Sequence, residues 1–130
     1  MINQPTTDFS GLPPIIAVDF DGTIVEDRFP KIGEEIPLMV DVLKMAKKLQ
    51  VKLILWTSRT DQYLSEAVDW CKEKGLYFDA INENIQEVKD FTGMDTRKVY
   101  ADIYLDDKCR SIDPHEIYNH MKVFATWLGK

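Results

Sequence analysis

Short apolar runs alternating with longer amphipathic stretches organise this chain. Ile15-Ile16-Ala17-Val18 follows Pro13-Pro14 as an unbroken apolar run, the pattern of a strand buried on both faces. Pro37 can open a helix, and Met39, Val42, Leu43, Ala46 and Leu49 then fall on one helical face. Val51 to Trp56 reads as a second buried strand. Leu64, Ala67, Val68 and Cys71 mark a helix from about Gln62, with Gly75 placed to end it. Tyr77 to Ile81 is a short third strand, and a short helix is expected around Ile85–Phe91. Val99 to Leu105 is a fourth strand. Asp113-Pro114-His115-Glu116 has the form of a helix start, and Ile117, Met121, Phe124 and Leu128 continue it on one side. Glu26 to Glu35, with Pro30 and Gly33, shows no period and is expected to be irregular.

Strands alternating with helices predict βαβ units. The expected fold is therefore α/β: a Rossmann-like three-layer sandwich with a mostly parallel central sheet. Right-handed crossovers carry the carboxyl ends of the strands to one edge, where open α/β sheets bind ligands. Asp19, Thr57 and Asp106 all fall at that edge.

Length and composition narrow the class. One domain is expected in 130 residues, spanning 14–130 behind a lead-in over 1–13. Apolar residues at 45% and charged residues at 29% are an ordinary globular balance. A net charge of −6 argues against nucleic acid or an anionic membrane as the general partner. No apolar run is long enough to span a bilayer, and the first ten residues lack the pattern of a signal peptide. Cys71 and Cys109 show no metal spacing and read as reduced thiols of a cytoplasmic protein.

Three clusters carry candidate chemistry. Asp19-Phe20-Asp21-Gly22-Thr23 follows the first strand. A hairpin turn accounts for Asp21-Gly22 but leaves Asp19 as a carboxylate at the end of a buried strand, a costly place without a partner. Thr57-Ser58-Arg59 follows the second strand; Thr57 can cap a helix or bind a phosphate oxygen. Asp106-Asp107 follows the last strand, and adjacent carboxylates there repel unless a cation lies between them and a third acid. Hard oxygen ligands of this kind suit Mg²⁺.

The ordered set Asp-x-Asp-Gly-Thr, strand-Thr, strand-Asp-Asp resembles the haloacid dehalogenase superfamily, over residues 15 to 107. The resemblance implies a Mg²⁺-dependent phosphatase acting on a phosphate monoester. Asp19 would be the nucleophile that forms an aspartyl-phosphate, and Asp21 the general acid and base. Mg²⁺ would be held by Asp19, Asp21 (through its main-chain carbonyl), Asp106 and Asp107. Thr57 would bind the phosphate, with Gly22, Thr23, Ser58, Arg59 and Asn82 also facing the substrate. A phosphotransferase of the same superfamily and a non-catalytic phospho-receiver domain are the rival readings.

The third motif of that superfamily, a lysine, has no obvious counterpart. Lys98 lies eight residues before Asp106, roughly 26 Å along a strand and so at the wrong end of the sheet. Lys89 reaches the correct edge if Asn82–Val88 is loop, and it is the favoured candidate. No segment is long enough for a cap domain. Glu26–Glu35, with Asp27, Arg28 and Lys31, is the one flap expected over an open site. A small phosphorylated metabolite is the expected substrate, and a second copy of the chain can serve such capless enzymes as a lid.

Overall fold

The computed structural model describes residues 11–108 and five further positions, 114, 115, 118, 119 and 122, which are helical. The helix expected from Asp113 onward otherwise lies outside the described residues, as does Cys109. The described chain contains a four-stranded sheet of β1 (Ile15–Val18), β4 (Lys52–Leu55), β5 (Ala80–Ile81) and β6 (Ile103–Leu105). Its order is β5-β4-β1-β6, and every pairing is parallel. Three helices accompany it: α1 (Met39–Lys48), α2 (Asp61–Glu73) and α3 (Gln86–Thr92).

Alternation of side chains along β1 and β4 divides the core in two. Ile16, Val18, Leu53 and Leu55 point to one face, where Met39, Leu43 and Ala46 of α1 and Ala67 and Cys71 of α2 cover them. Ile15, Ala17 and Ile54 point to the other, against Ile85, Val88 of α3, Val99 and Ala101. Helices on both faces of a parallel sheet make the three layers that the sequence pattern predicts. Cys71 is fully buried, and burial pushes its thiol up to about 12, so it packs as a small hydrophobe.

Glu26 to Glu35 is not irregular. It lies within an antiparallel ribbon of β2 (Val25–Arg28) and β3 (Lys31–Glu35), separate from the main sheet. Most of its residues are exposed, so no hydrophobic alternation betrays it. Gly33 is required there because a Cβ would collide with the Glu26 carbonyl.

The outer strands are shorter than the apolar runs suggest. In the segment before β6, side chains rather than strands satisfy the backbone. Tyr104 Oη donates to the Val99 carbonyl (2.6 Å) and accepts from the Ala101 amide (3.2 Å), while Asn84 Oδ1 accepts from the Tyr100 amide (2.6 Å). The expected strand over Val99–Leu105 therefore starts only at Ile103.

One device sets both outer strands. Asp79 and Asp102 each stand immediately before an outer strand and grip one residue of an inner strand twice. The Asp79 amide donates to the Leu53 carbonyl (2.8 Å), and its Oδ2 accepts from the Leu53 amide (2.8 Å). The Asp102 amide and Oδ2 do the same to Ile15, again at 2.8 Å each. A carboxylate thus replaces the ladder partner that a short outer strand cannot supply. Truncating either to Ala leaves a buried amide unpaired and is expected to cost about 1–3 kcal/mol. The two aspartates lie three strand spacings apart, roughly 14 Å, so the double variant should be additive within about 0.5 kcal/mol. Urea melts of Asp79→Ala, Asp102→Ala and the double variant measure this, and wild-type midpoints in both single variants would show the device to be ornamental.

Candidate functional site

The ladder carries on past the strand ends and assembles the edge. The Asp19 amide donates to the Leu105 carbonyl, Trp56 to Val18, and Asn82 to Leu55, each at 2.8 Å. Parallel pairing therefore brings Asp19, Thr57, Asn82 and Asp106 together from four strands.

After β1 the chain winds tightly. The Phe20 carbonyl accepts from the amides of Thr23, Ile24 and Val25, at 2.9 to 3.2 Å, and Gly22 takes φ 87°. A Cβ on Gly22 would strike the Asp107 carboxylate, so the turn's backbone lies directly against that acid. Thr23, by contrast, is fully buried and lines neither hollow described below, so the structure does not bring it to face a substrate there as expected. Its Oγ1 has no hydrogen-bond partner. It is part of the turn's packing.

Asp19, Asp106 and Asp107 each offer an oxygen within 4.8 Å of the others, a group that could hold a metal ion. Burial, and then the nearby charges of Asp106 and Asp107, push Asp19 from its ordinary 3.8 to about 7, although the Phe20 amide works against this. Three half-buried carboxylates at that range repel strongly, and a divalent cation with hard-oxygen preference fits the donor set.

Thr57 is fixed by its neighbours. Its amide donates to Asn82 Oδ1 (2.8 Å), and its Oγ1 accepts from the Arg59 amide (3.1 Å), which leaves its O–H to donate outward. Asn82 holds this pose from a left-handed φ of 55°, a conformation Asn tolerates better than most residues. Asn82 thus faces the site and also positions Thr57.

Arg59 departs from expectation. Its side chain is 1% exposed and forms a fork on Asp21, with Nε to Oδ2 at 2.7 Å and Nη2 to Oδ1 at 2.8 Å. The Asp21 carboxylate in turn raises the guanidinium's already high pKa, so it stays charged. The remaining N–H groups reach the carbonyls of Pro30 (3.4 Å), Lys31 (3.0 Å) and Tyr63 (3.2 Å). With all five donors engaged, Arg59 has none left for a substrate phosphate.

Two hollows of about 430 Å³ open at this edge and share Asp19, Thr57, Ser58 and Asp106 as walls. One continues to Asp21, Asp27, Phe29, Asp107 and Lys108; the other to Trp56 and Asn82. Lys89, the favoured third-motif lysine, lines neither. Its placement required Asn82–Val88 to be loop, but α3 starts at Gln86 and Lys89 pairs with Glu83. Lys108 is the ammonium brought to the hollow, 3.6 Å from Asp107 Oδ2 and largely exposed. Its only sequence signal was adjacency to Asp106-Asp107. Phe29 and Asp27 reach the wall because the ribbon folds over the edge, which the aperiodic sequence did not disclose. Among the described residues, no helix is long and apolar enough to cross a membrane.

Asp19 carries a pH signature in the metal-free protein. Its folded value lies above its unfolded one, so the stability it contributes is complete below about 3.8 and is lost as pH rises through about 7. Asp19→Asn should therefore gain thermal stability over wild type progressively between those values, and hold a constant advantage above them. Melts in EDTA across pH 4–8 test this; a difference that does not change with pH would mean that the carboxylate is not under repulsion.

No protein-family model and no curated protein matches the chain. Among solved structures it is similar to a conserved protein from Bacteroides thetaiotaomicron, with 43% sequence identity and a TM-score of 0.76. The likeness covers 85% of this chain and 91% of that one. At that identity and coverage, the chain belongs to the same family as this conserved Bacteroides protein.

Proposed function

We propose that the protein is a Mg²⁺-dependent phosphatase of the haloacid dehalogenase kind, which hydrolyses a phosphate monoester through an aspartyl-phosphate on Asp19. The observation that carries this reading is the meeting of Asp19 with Asp106 and Asp107 at the carboxyl edge of a parallel sheet. That cluster could hold a cation, and the outward hydroxyl of Thr57 beside it offers a phosphate its first donor.

Asp19 Oδ forms a bond to phosphorus as the bond from phosphorus to the leaving oxygen breaks. Asp21 gives that oxygen a proton. Water then attacks the aspartyl-phosphate, loses its proton to Asp21, and releases inorganic phosphate and the Asp19 carboxylate. Mg²⁺, held by Asp19, Asp106 and Asp107, would supply the positive charge that lets a carboxylate and a phosphate dianion meet. Thr57 orients the phosphate, with Lys108 an ammonium on the same wall. Without a cap domain the site would stay open and would admit protein, nucleic-acid ends or small phosphorylated metabolites; a small metabolite in the cytoplasm is the proposed substrate.

Hydrolysis of p-nitrophenyl phosphate is the direct assay. Turnover should require Mg²⁺, fall to background in Asp19→Asn, and fall by about 10²–10⁴-fold in Asp21→Asn. Metal-independent turnover, or an Asp19→Asn variant as fast as wild type, would sink the proposal.

A further inference from the structure

We infer that Arg59 is a positioning residue, one that locks Asp21 and the tip of the β2–β3 ribbon into a single unit. Asp21 then meets a substrate only where the docked ribbon puts it. The inference rests on the proposed role of Asp21 as the proton-transfer group.

The geometry leaves the guanidinium no slack. Two of its N–H groups take both oxygens of Asp21, and two others take the consecutive carbonyls of Pro30 and Lys31 at the ribbon tip. The fifth takes the Tyr63 carbonyl in the first turn of α2, which ties the unit to the main body. Its central carbon lies 5.1 Å from the ring centres of both Phe20 and Phe29, so aromatic rings enclose it as well. Phe20 belongs to the turn that carries Asp21, and Phe29 to the ribbon and the wall of the hollow that Asp21 also lines. A planar fork can satisfy these partners together, whereas an ammonium presents three donors from one point and cannot span them.

Movement of either partner must therefore be felt by the other. If the ribbon lifts, Arg59 loses two carbonyls and one ring and its grip on Asp21 slackens. If Asp21 loses its charge, the ribbon tip loses the anchor that holds its clamp in place. A carboxyl group that must carry and donate a proton within a reaction gains most from such fixing, since proton transfer needs the donor within hydrogen-bond reach of the leaving oxygen.

Two experiments separate this from a merely structural role. The first compares Arg59→Lys with wild type on p-nitrophenyl phosphate and on an alkyl monophosphate. The nitrophenolate leaves with little help from a proton, whereas an alkoxide cannot. Misplaced Asp21 should therefore lower kcat/KM, which reports only the steps up to loss of the alcohol, on the alkyl ester by roughly tenfold or more beyond any loss on the aryl ester. Equal losses on both would overturn the inference. The second needs no turnover: hydrogen exchange of the ribbon amides in Asp21→Asn. Amides of residues 28, 29 and 31–33 should exchange about tenfold faster than in wild type, with those of β1 and α1 unchanged. Wild-type protection of the ribbon would also overturn it. Failure of the phosphatase reading would show instead as an Asp19→Asn variant that loses no activity, and the exchange result would still decide whether Arg59 links the two parts.

Discussion

Parallel pairing of β1 on both sides is the constraint from which the site follows. All four of its residues are buried, and β4 and β6 run beside it in the same direction. A strand so enclosed has one register that keeps its apolar residues covered on both faces. Asp79 and Asp102 hold that register by gripping Leu53 and Ile15 from the flanks. Once these pairings are set, the next residue of each strand has little choice of position. Asp19, Trp56 and Asp106 must emerge side by side.

That placement concentrates negative charge. The hollow that reaches the ribbon is walled by Asp19, Asp21, Asp27, Asp106 and Asp107, against Arg59 and Lys108. Arg59 is committed to Asp21, and Lys108 stands in solvent, where a pair is worth little. The local field is thus hostile to a phosphate until a cation enters. Acids that could hold a cation would also repel an anionic ligand in its absence, so charge alone would tie the binding of the two together.

The fold was largely legible because its inner strands are buried on both faces and read as continuous apolar runs. Asp19, Thr57 and Asp106-Asp107 were legible for the same reason, since strand ends in a parallel sheet share an edge. The ribbon was not. Its residues from Glu26 to Lys31 are exposed and leave no period to count. The length of β6 was misread because Val99 and Ala101 are buried without being in a strand, their segment held by Tyr104 and Asn84. Lys89 and Arg59 were misjudged on a common ground: sequence gives the distance of a basic residue from an edge but not its partner. Glu83 takes Lys89 away from the acids, and Asp21 takes Arg59.

The two carboxylates of the Asp-x-Asp turn illustrate how little sequence separation matters to chemical setting. Asp19 is half-buried among two other acids, so its charged form is opposed by every neighbouring side chain that carries charge. Asp21, two residues on, turns to the other side of the turn and meets the planar fork of a buried guanidinium. The intervening Phe20 makes the division possible: its ring is buried under Trp70 at a T-shaped angle of 77°, and its carbonyl collects three amides. A side chain anchored that firmly between two acids forces them to opposite walls. Two acids two residues apart thus meet different surroundings, one among carboxylates and one against a guanidinium. Here that separation depends on the ring of Phe20 and the guanidinium of Arg59, neither of which is itself an acid or a nucleophile.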